Sequence, residues 1–157
     1  MQAISQQRRG SIILSQTVFV LNGPNLNLLG MREPGIYGSD TLDDIAARLE
    51  DVAQQLDLTV DLRQSNHEGH LVDWLHEAQG SGARGVILNA GAFTHTSIAL
   101  HDAIRAITTP VVEVHLSNPH AREAFRHTSY VAMAARGTIA GFGALGYELA
   151  LHSLARA

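Results

Sequence analysis

The chain has no cysteine and no lysine. Without cysteine there are no disulfides, no thiolate nucleophile and no thiolate metal site, and a cytoplasmic, non-redox protein is the default expectation. Without lysine all eleven basic side chains are arginine. Arginine stays protonated and cannot act as a neutral amine, so Schiff-base chemistry and a lysine-bearing phosphate loop are both closed. Charge is sparse as well: 17% of residues are charged, the net charge is −4 with histidine neutral, and no basic tract stands out. These features argue against a nucleic-acid partner. No apolar run reaches membrane-spanning length, and Ile12–Leu14 is too short for a signal-peptide core although Arg8 and Arg9 precede it. What remains is a chain of 157 residues, 45% hydrophobic, enough for one domain with a real core.

Residues 1–16 carry no extended periodicity and are expected to be an N-terminal extension, flexible and separate from a single domain over 17–157. From Thr17 onward the pattern alternates. Residues 17–21 read as a buried strand ending in the turn formers of Asn22-Gly-Pro-Asn-Leu-Asn27. Leu42, Ile45, Leu49, Val52, Ala53 and Leu56 share one helical face, with Thr41 as N-cap and Asp43 and Asp44 in the first turn. Strands are expected at Leu58–Leu62, Gly85–Leu88 and Val111–Val114, with a fifth, edge strand at Val131–Met133. Helices are expected around Leu71–Ala78, closed by Gly80 and Gly82, and around Leu100–Ile107. Asn118-Pro119 opens a short helix, and a largely apolar one occupies 141–155. Such alternation predicts an α/β protein of three layers: a five-stranded parallel sheet, doubly wound and flavodoxin-like, with ligands at the carboxyl ends of the strands.

Those strand ends are unusually polar. They carry Asn22 to Asn25, then Gln64-Ser-Asn-His-Glu68, then Asn89 to His95, then Glu113-Val-His115-Leu-Ser-Asn118. Asparagine and glycine also favour turns, but four such ends on one rim, three of them with histidine, predict a site. Glu113 and His115 lie two apart on one strand, so their side chains share a face, where the carboxylate orients the imidazole and favours its charged form. A metal is not expected despite nine histidines: His67-Glu-Gly-His70 is too closely spaced for the metalloprotease motif, and Gly69 would interrupt its helix. A binding module is the rival class. A phosphoacceptor receiver, however, wants an aspartate where Asn89 stands and a later lysine, and a flavin phosphate loop would be richer in Ser and Thr than Asn22–Asn27.

Seven segments, in order, resemble one family: Leu21-Asn-Gly-Pro-Asn-Leu-Asn-Leu-Leu-Gly30, Arg32-Glu-Pro-Gly-Ile-Tyr-Gly38, Gln64-Ser-Asn-His-Glu-Gly69, Asn89-Ala-Gly-Ala-Phe-Thr-His-Thr-Ser97, Glu113-Val-His-Leu-Ser-Asn118, Arg122-Glu-Ala-Phe-Arg-His127 and Gly141-Phe-Gly-Ala-Leu-Gly-Tyr147. The resemblance is to type II 3-dehydroquinate dehydratase and covers roughly residues 17–155. It implies dehydration of 3-dehydroquinate to 3-dehydroshikimate through an enolate, in the shikimate or quinate pathway and without a cofactor. The missing lysine agrees, because the unrelated type I enzymes use a Schiff-base lysine. By resemblance Tyr37 is the proton acceptor, His115 the proton donor, Arg32 a transition-state stabiliser and Asn25 a donor near the enolate oxygen, with Glu113 behind His115. A free tyrosine titrates near pH ~10, and Arg32 supplies positive charge to favour its ionised form. Gly30, Gly35 and Gly38 are expected to let this loop close as a lid. Leu116 and Ser117 correspond to the substrate-carboxylate site, and Asn89, His95 and Arg126 to contacts with the ring hydroxyls. Asp102 corresponds to a residue reaching a neighbouring subunit, consistent with a homo-oligomer of trimers, twelve chains in all.

Overall fold

The computed structural model describes residues 16–157. The expected extension therefore lies outside the described residues except for Gln16, whose carbonyl accepts a hydrogen bond from the Thr59 amide at 3.0 Å. Five strands, β1 (Thr17–Asn22), β2 (Thr59–Gln64), β3 (Gly85–Asn89), β4 (Val111–His115) and β5 (Gly137–Ala140), form one sheet in the order β2-β1-β3-β4-β5. Every neighbouring pair is parallel.

Alternation along the central strands supplies both faces of the sheet. Val18 and Val20 join Ile87, Val112 and Val114 on one face. There they pack against Ile45 and Leu49 of α2 (Leu42–Gln55) and Tyr147, Leu151 and Leu154 of α5 (Leu145–Ala155). Phe19 and Leu21 join Val86 and Leu88 on the other, under Leu71 and Leu75 of α3 (Glu68–Gly80) and Leu100 and Ile104 of α4 (Ile98–Arg105). The result is the expected three-layer, doubly wound, flavodoxin-like arrangement. Its strand order reverses direction at β1 and β3, so the chain diverges there at the carboxyl edge and leaves a crevice. The two strand ends approach closely at that point. The Gly23 amide donates to the Asn89 carbonyl at 2.8 Å, and a Cβ on Gly23 would lie 2.3 Å from the Ala90 carbonyl oxygen, so only glycine fits.

Helix α2 begins as expected. Thr41 Oγ1 accepts from the Asp44 amide, and the Asp44 carboxylate accepts from the Thr41 amide, which closes a reciprocal capping box. Three local expectations are corrected. The edge strand is Gly137–Ala140, not Val131–Met133. Val131 is fully buried under the α3/α4 layer, and its carbonyl accepts from the amides of Ala134 and Ala135, so this stretch turns instead of extending. The last helix starts at Leu145; residues 141–144 turn, with Gly141 and Gly143 at positive φ. Gly69 does not interrupt a helix, for it sits in the first turn of α3, where few intrahelical bonds depend on it. A four-residue helical turn, α1 (Pro34–Tyr37), was not anticipated inside the Arg32–Gly38 loop. Gly30 and Gly38 flank it at φ 88° and 82°, while Gly35 does not use a positive φ.

Candidate active site

Three of the four polar strand ends line one cavity. Asn25 and Leu26 come from the end of β1, Asn89 and His95 from the end of β3, and His115, Leu116 and Ser117 from the end of β4. Arg32 and Tyr37 close it from the α1 loop, and Arg122 and Arg126 from the 119–126 segment. The end of β2 does not line the cavity but braces it: Asn66 Oδ1 accepts from the Asn25 amide at 3.0 Å and from Gln64 Nε2 at 3.1 Å. Asn25 itself stands at φ 67°, a left-handed position that asparagine tolerates better than most residues.

Glu113 and His115 share a face, as their spacing requires. Glu113 is fully buried and its Oε1 lies 2.6 Å from His115 Nε2. Burial alone would push this carboxyl up. The hydrogen bond and charge of His115, with the Ser129 and Thr94 hydroxyls, overcome burial and hold it down at about 2. An ionised carboxylate only accepts, so Nε2 of His115 carries the hydrogen, and Nδ1 is the ring nitrogen left to act in the cavity. Thr94 Oγ1 and Ser129 Oγ each donate to Oε1 at 2.6 Å, and Thr138 Oγ1 donates to Oε2 at 2.8 Å.

His95 has the opposite arrangement. Its Nδ1 lies 2.8 Å from the Thr128 carbonyl oxygen, which can only accept, so Nδ1 bears the hydrogen and Nε2 a lone pair. Desolvation is the main cause that pushes its pKa down, opposed by that hydrogen bond and reinforced by the charges of His115 and Arg126. Asn89 is nearly fully buried; its Nδ2 donates to the Tyr147 hydroxyl at 2.8 Å, and that hydroxyl donates to Asn22 Oδ1 at 2.6 Å. Burial pushes the Tyr147 hydroxyl well above the ordinary tyrosine value, so it serves as a neutral strut between β1, β3 and α5.

Tyr37 is only partly buried. Two guanidinium groups flank its ring, with Arg32 Cζ 5.3 Å and Arg122 Cζ 5.2 Å from the centroid. Arg122 also donates to Ser117 Oγ at 3.1 Å, and Arg126 Nε donates to the Glu123 carboxylate at 2.8 Å. Asp102 is the one expected site residue that this chain does not bring to the cavity. It sits on α4 with its side chain 73% exposed and 3.0 Å from His101 Nδ1. Residues missed from the sequence are Arg122, Thr94, Ser129 and Thr138. Arg122 and Thr94 lie inside the recognised segments, next to or near residues that were assigned; Ser129 and Thr138 gave no signal at all. Among the described residues, no group of three or more His, Asp or Glu side chains is placed to hold a metal ion.

Comparison with known proteins bears on the family and the fold. The sequence pattern of the family described as dehydroquinase class II matches residues 16–155. The chain is 64% identical over 141 residues to a 3-dehydroquinate dehydratase of Rhizobium johnstonii, covering 90% of this chain and 97% of that one. It is 62% identical over 142 residues to that of Brucella abortus, covering 90% of each. Among solved structures it superposes on a type II dehydroquinase from Propionibacterium acnes with a TM-score of 0.87 at 47% identity, over 92% of this chain and 99% of that chain. The type II dehydroquinase from Butyrivibrio crossotus gives the same TM-score at 38% identity, over 89% and 97%. With the matching segments gathered around one crevice of a matching fold, the chain belongs to the class II dehydroquinase family.

Proposed function

We propose that the chain dehydrates 3-dehydroquinate to 3-dehydroshikimate by acid–base chemistry, as a lyase of the shikimate or quinate pathway. The observation that carries this reading is a tyrosine flanked by two guanidinium groups on the same cavity as a histidine held by a buried carboxylate. Tyr37 Oη takes the proton from the carbon beside the ketone. Arg32 and Arg122 attract the negative charge that the tyrosine oxygen carries before it does so. The electron pair left on carbon moves onto the ketone oxygen as an enolate, beside Asn25, whose amide group acts there directly or through a water. Collapse of the enolate expels the hydroxyl from the adjacent carbon. His115, entering this step with hydrogens on both ring nitrogens, donates the Nδ1 proton to that hydroxyl and keeps the Nε2 hydrogen on Glu113, so water leaves and a conjugated ketone remains.

The remaining cavity groups suit substrate holding. Leu116 and Ser117, with Arg122 on the serine hydroxyl, take the carboxylate. Asn89, His95 and Arg126 take the ring hydroxyls, His95 accepting through Nε2. No covalent adduct is needed, because the chain has no lysine to form an imine. We take residues 17–157 as one catalytic domain, working in the cytoplasm and without a cofactor. We also expect Asp102, exposed on α4, to reach the cavity of a neighbouring copy in a dodecamer built from trimers.

The direct test is to mix the protein with 3-dehydroquinate and follow the ultraviolet absorbance of the conjugated product. Absence of that signal overturns the reading. Borohydride added during turnover should leave no substrate on the protein by mass spectrometry. A trapped adduct would replace the enolate route with a covalent one. Light scattering should show a particle far larger than the 16.9 kDa chain. A fully active monomer would remove Asp102 from the site.

A further inference from the structure

We propose that Thr94, Ser129 and Thr138 are positioning residues that, through one hydroxyl clasp, decide which ring nitrogen each cavity histidine turns to the substrate: Nδ1 of His115 and Nε2 of His95. The proposal rests on the reading of His115 as proton donor and of His95 as a substrate contact.

The clasp is built from three parts of the chain. Thr94 precedes His95 in a 3-10 turn after β3, Ser129 lies in the segment before β5, and Thr138 is on β5 itself. Thr94 and Ser129 both donate to Oε1 of Glu113, and their oxygens are 2.8 Å apart. Thr138 donates to Oε2. With His115 Nε2 on Oε1, these donors engage both oxygens of a carboxylate that has no exposure to water. A carboxylate so enclosed can neither rotate away from His115 nor change its acceptor role. His115 therefore keeps a hydrogen on Nε2 whether or not Nδ1 is protonated, and Nδ1 is the nitrogen that gains and loses a proton toward the cavity.

The same contact governs His95. Ser129 follows Thr128, whose carbonyl accepts from His95 Nδ1. The Tyr130 amide donates to the Thr94 carbonyl at 2.9 Å, and the Ala132 amide donates to Ser129 Oγ at 2.9 Å. Docking of residues 128–130 onto Thr94 and Glu113 thus fixes where the Thr128 carbonyl lies, and with it the Nδ1–H form of His95. One network turns Nδ1 of His115 to the cavity, where it donates when the ring carries both hydrogens, and turns Nε2 of His95 there as an acceptor. The first suits a departing hydroxyl and the second a hydroxyl that must stay.

Three variants of the full chain test this: Thr138→Val, which keeps the shape and deletes the hydroxyl; Thr138→Ser, which restores it; and Ser129→Ala. Thr138→Val should lower kcat by about 10- to 100-fold with little change in KM, since it acts only through the donor His115. Thr138→Ser should recover most of the loss. Ser129→Ala should lower kcat and also raise KM, because it loosens the carbonyl that sets His95. Long-range ¹H–¹⁵N spectra of the histidine rings read the tautomers without turnover. Recorded where both rings are neutral, the parent should show Nε2–H at His115 and Nδ1–H at His95. In Thr138→Val only the His115 pattern should become mixed, and in Ser129→Ala both patterns should.

Parent-like tautomers and kcat in both Thr138→Val and Ser129→Ala would overturn the clasp. So would a Thr138→Ser variant as slow as Thr138→Val. If the parent left 3-dehydroquinate unchanged, the functional reading would fail, and the ring spectra would still decide the clasp by themselves.

Discussion

On one side of the cavity, Glu113 and His115 sit at the end of a buried central strand, and both carboxylate oxygens meet hydrogen-bond donors. On the other side, Arg32 and Tyr37 ride on a loop around a four-residue helical turn with no buried residue. There the contacts include two guanidinium groups against the Tyr37 ring, which packs at the margin of the core, and an exposed Arg32–Glu33 pair at 3.6 Å. The Glu113–His115 side is over-determined by the core, and the Arg32–Tyr37 side is held by fewer buried contacts. Substitutions on the first side should therefore damage stability and activity together, and those of the cavity-facing side chains on the second should damage activity alone.

Tyr37→Phe should have the largest effect. It keeps the ring between the two guanidinium groups and deletes only the proton acceptor, so a rate loss of roughly 10²–10⁴-fold is expected. Thermal unfolding should be unchanged, because the side chain is partly exposed. His115→Ala should behave differently: exchange of the α-proton with deuterated solvent should continue while dehydration stops. Proton exchange at the parent rate in Tyr37→Phe would transfer the base role to His115 and undo the contrast between the two sides.

Next comes Glu113→Gln, which keeps the shape and removes the charge. The folded-state pKa of Glu113 lies at about 2, below the ordinary 4.5. Its stabilisation is therefore fully present above pH ~4.5 and is lost as pH falls through about 2. The shift corresponds to on the order of 3 kcal/mol. Urea midpoints should show the variant destabilised at pH 7 and the two proteins converging as pH drops from about 5 toward 2. Parallel curves with no convergence would mean that the carboxylate is not held ionised by its partners.

A smaller loss is expected for Arg122→Ala. One of two charges beside Tyr37 disappears, and Ser117 loses its donor. A decrease in kcat/KM of about tenfold follows from roughly 1.4 kcal/mol of lost electrostatic stabilisation. Combining it with Arg32→Ala should bring the rate close to that of Tyr37→Phe. If the double variant is no slower than either single one, the arginines do not act through Tyr37. The smallest effect belongs to Glu33→Gly. Glu33 stands at φ 40° immediately before Pro34, a strained position for a side chain. Glycine should relieve strain of about 1 kcal/mol, partly offset by the freer unfolded chain, and leave turnover nearly unaltered. A large drop in turnover would show that this strained link sets the Tyr37 position.

The layered α/β architecture, and the gathering of polar strand ends on one rim, were legible in the amino-acid sequence. Hydrophobic patterning is a local property: the unbroken apolar run Val18–Leu21, with two β-branched valines, suits a strand covered on both faces, and the Leu42–Leu56 stripe suits an amphipathic helix. Polar residues clustered where strands must end, and the i, i+2 spacing of Glu113 and His115, were legible for the same reason. The edge strand was misplaced because Val131–Met133 is as apolar as a strand, whereas Gly137-Thr-Ile-Ala140 is not. Only its pairing with β4 makes it one. The partners of Glu113 were likewise invisible. Thr94, Ser129 and Thr138 are separated from it by 19, 16 and 25 positions. A hydroxyl signals nothing about its acceptor until the chain has folded. The ring nitrogens of His95 and His115 that bond inward, the second arginine over Tyr37 and the separation of Asp102 from this chain's own cavity were decided by tertiary structure alone. Each depends on the direction of a side chain in space, which spacing along the chain does not specify.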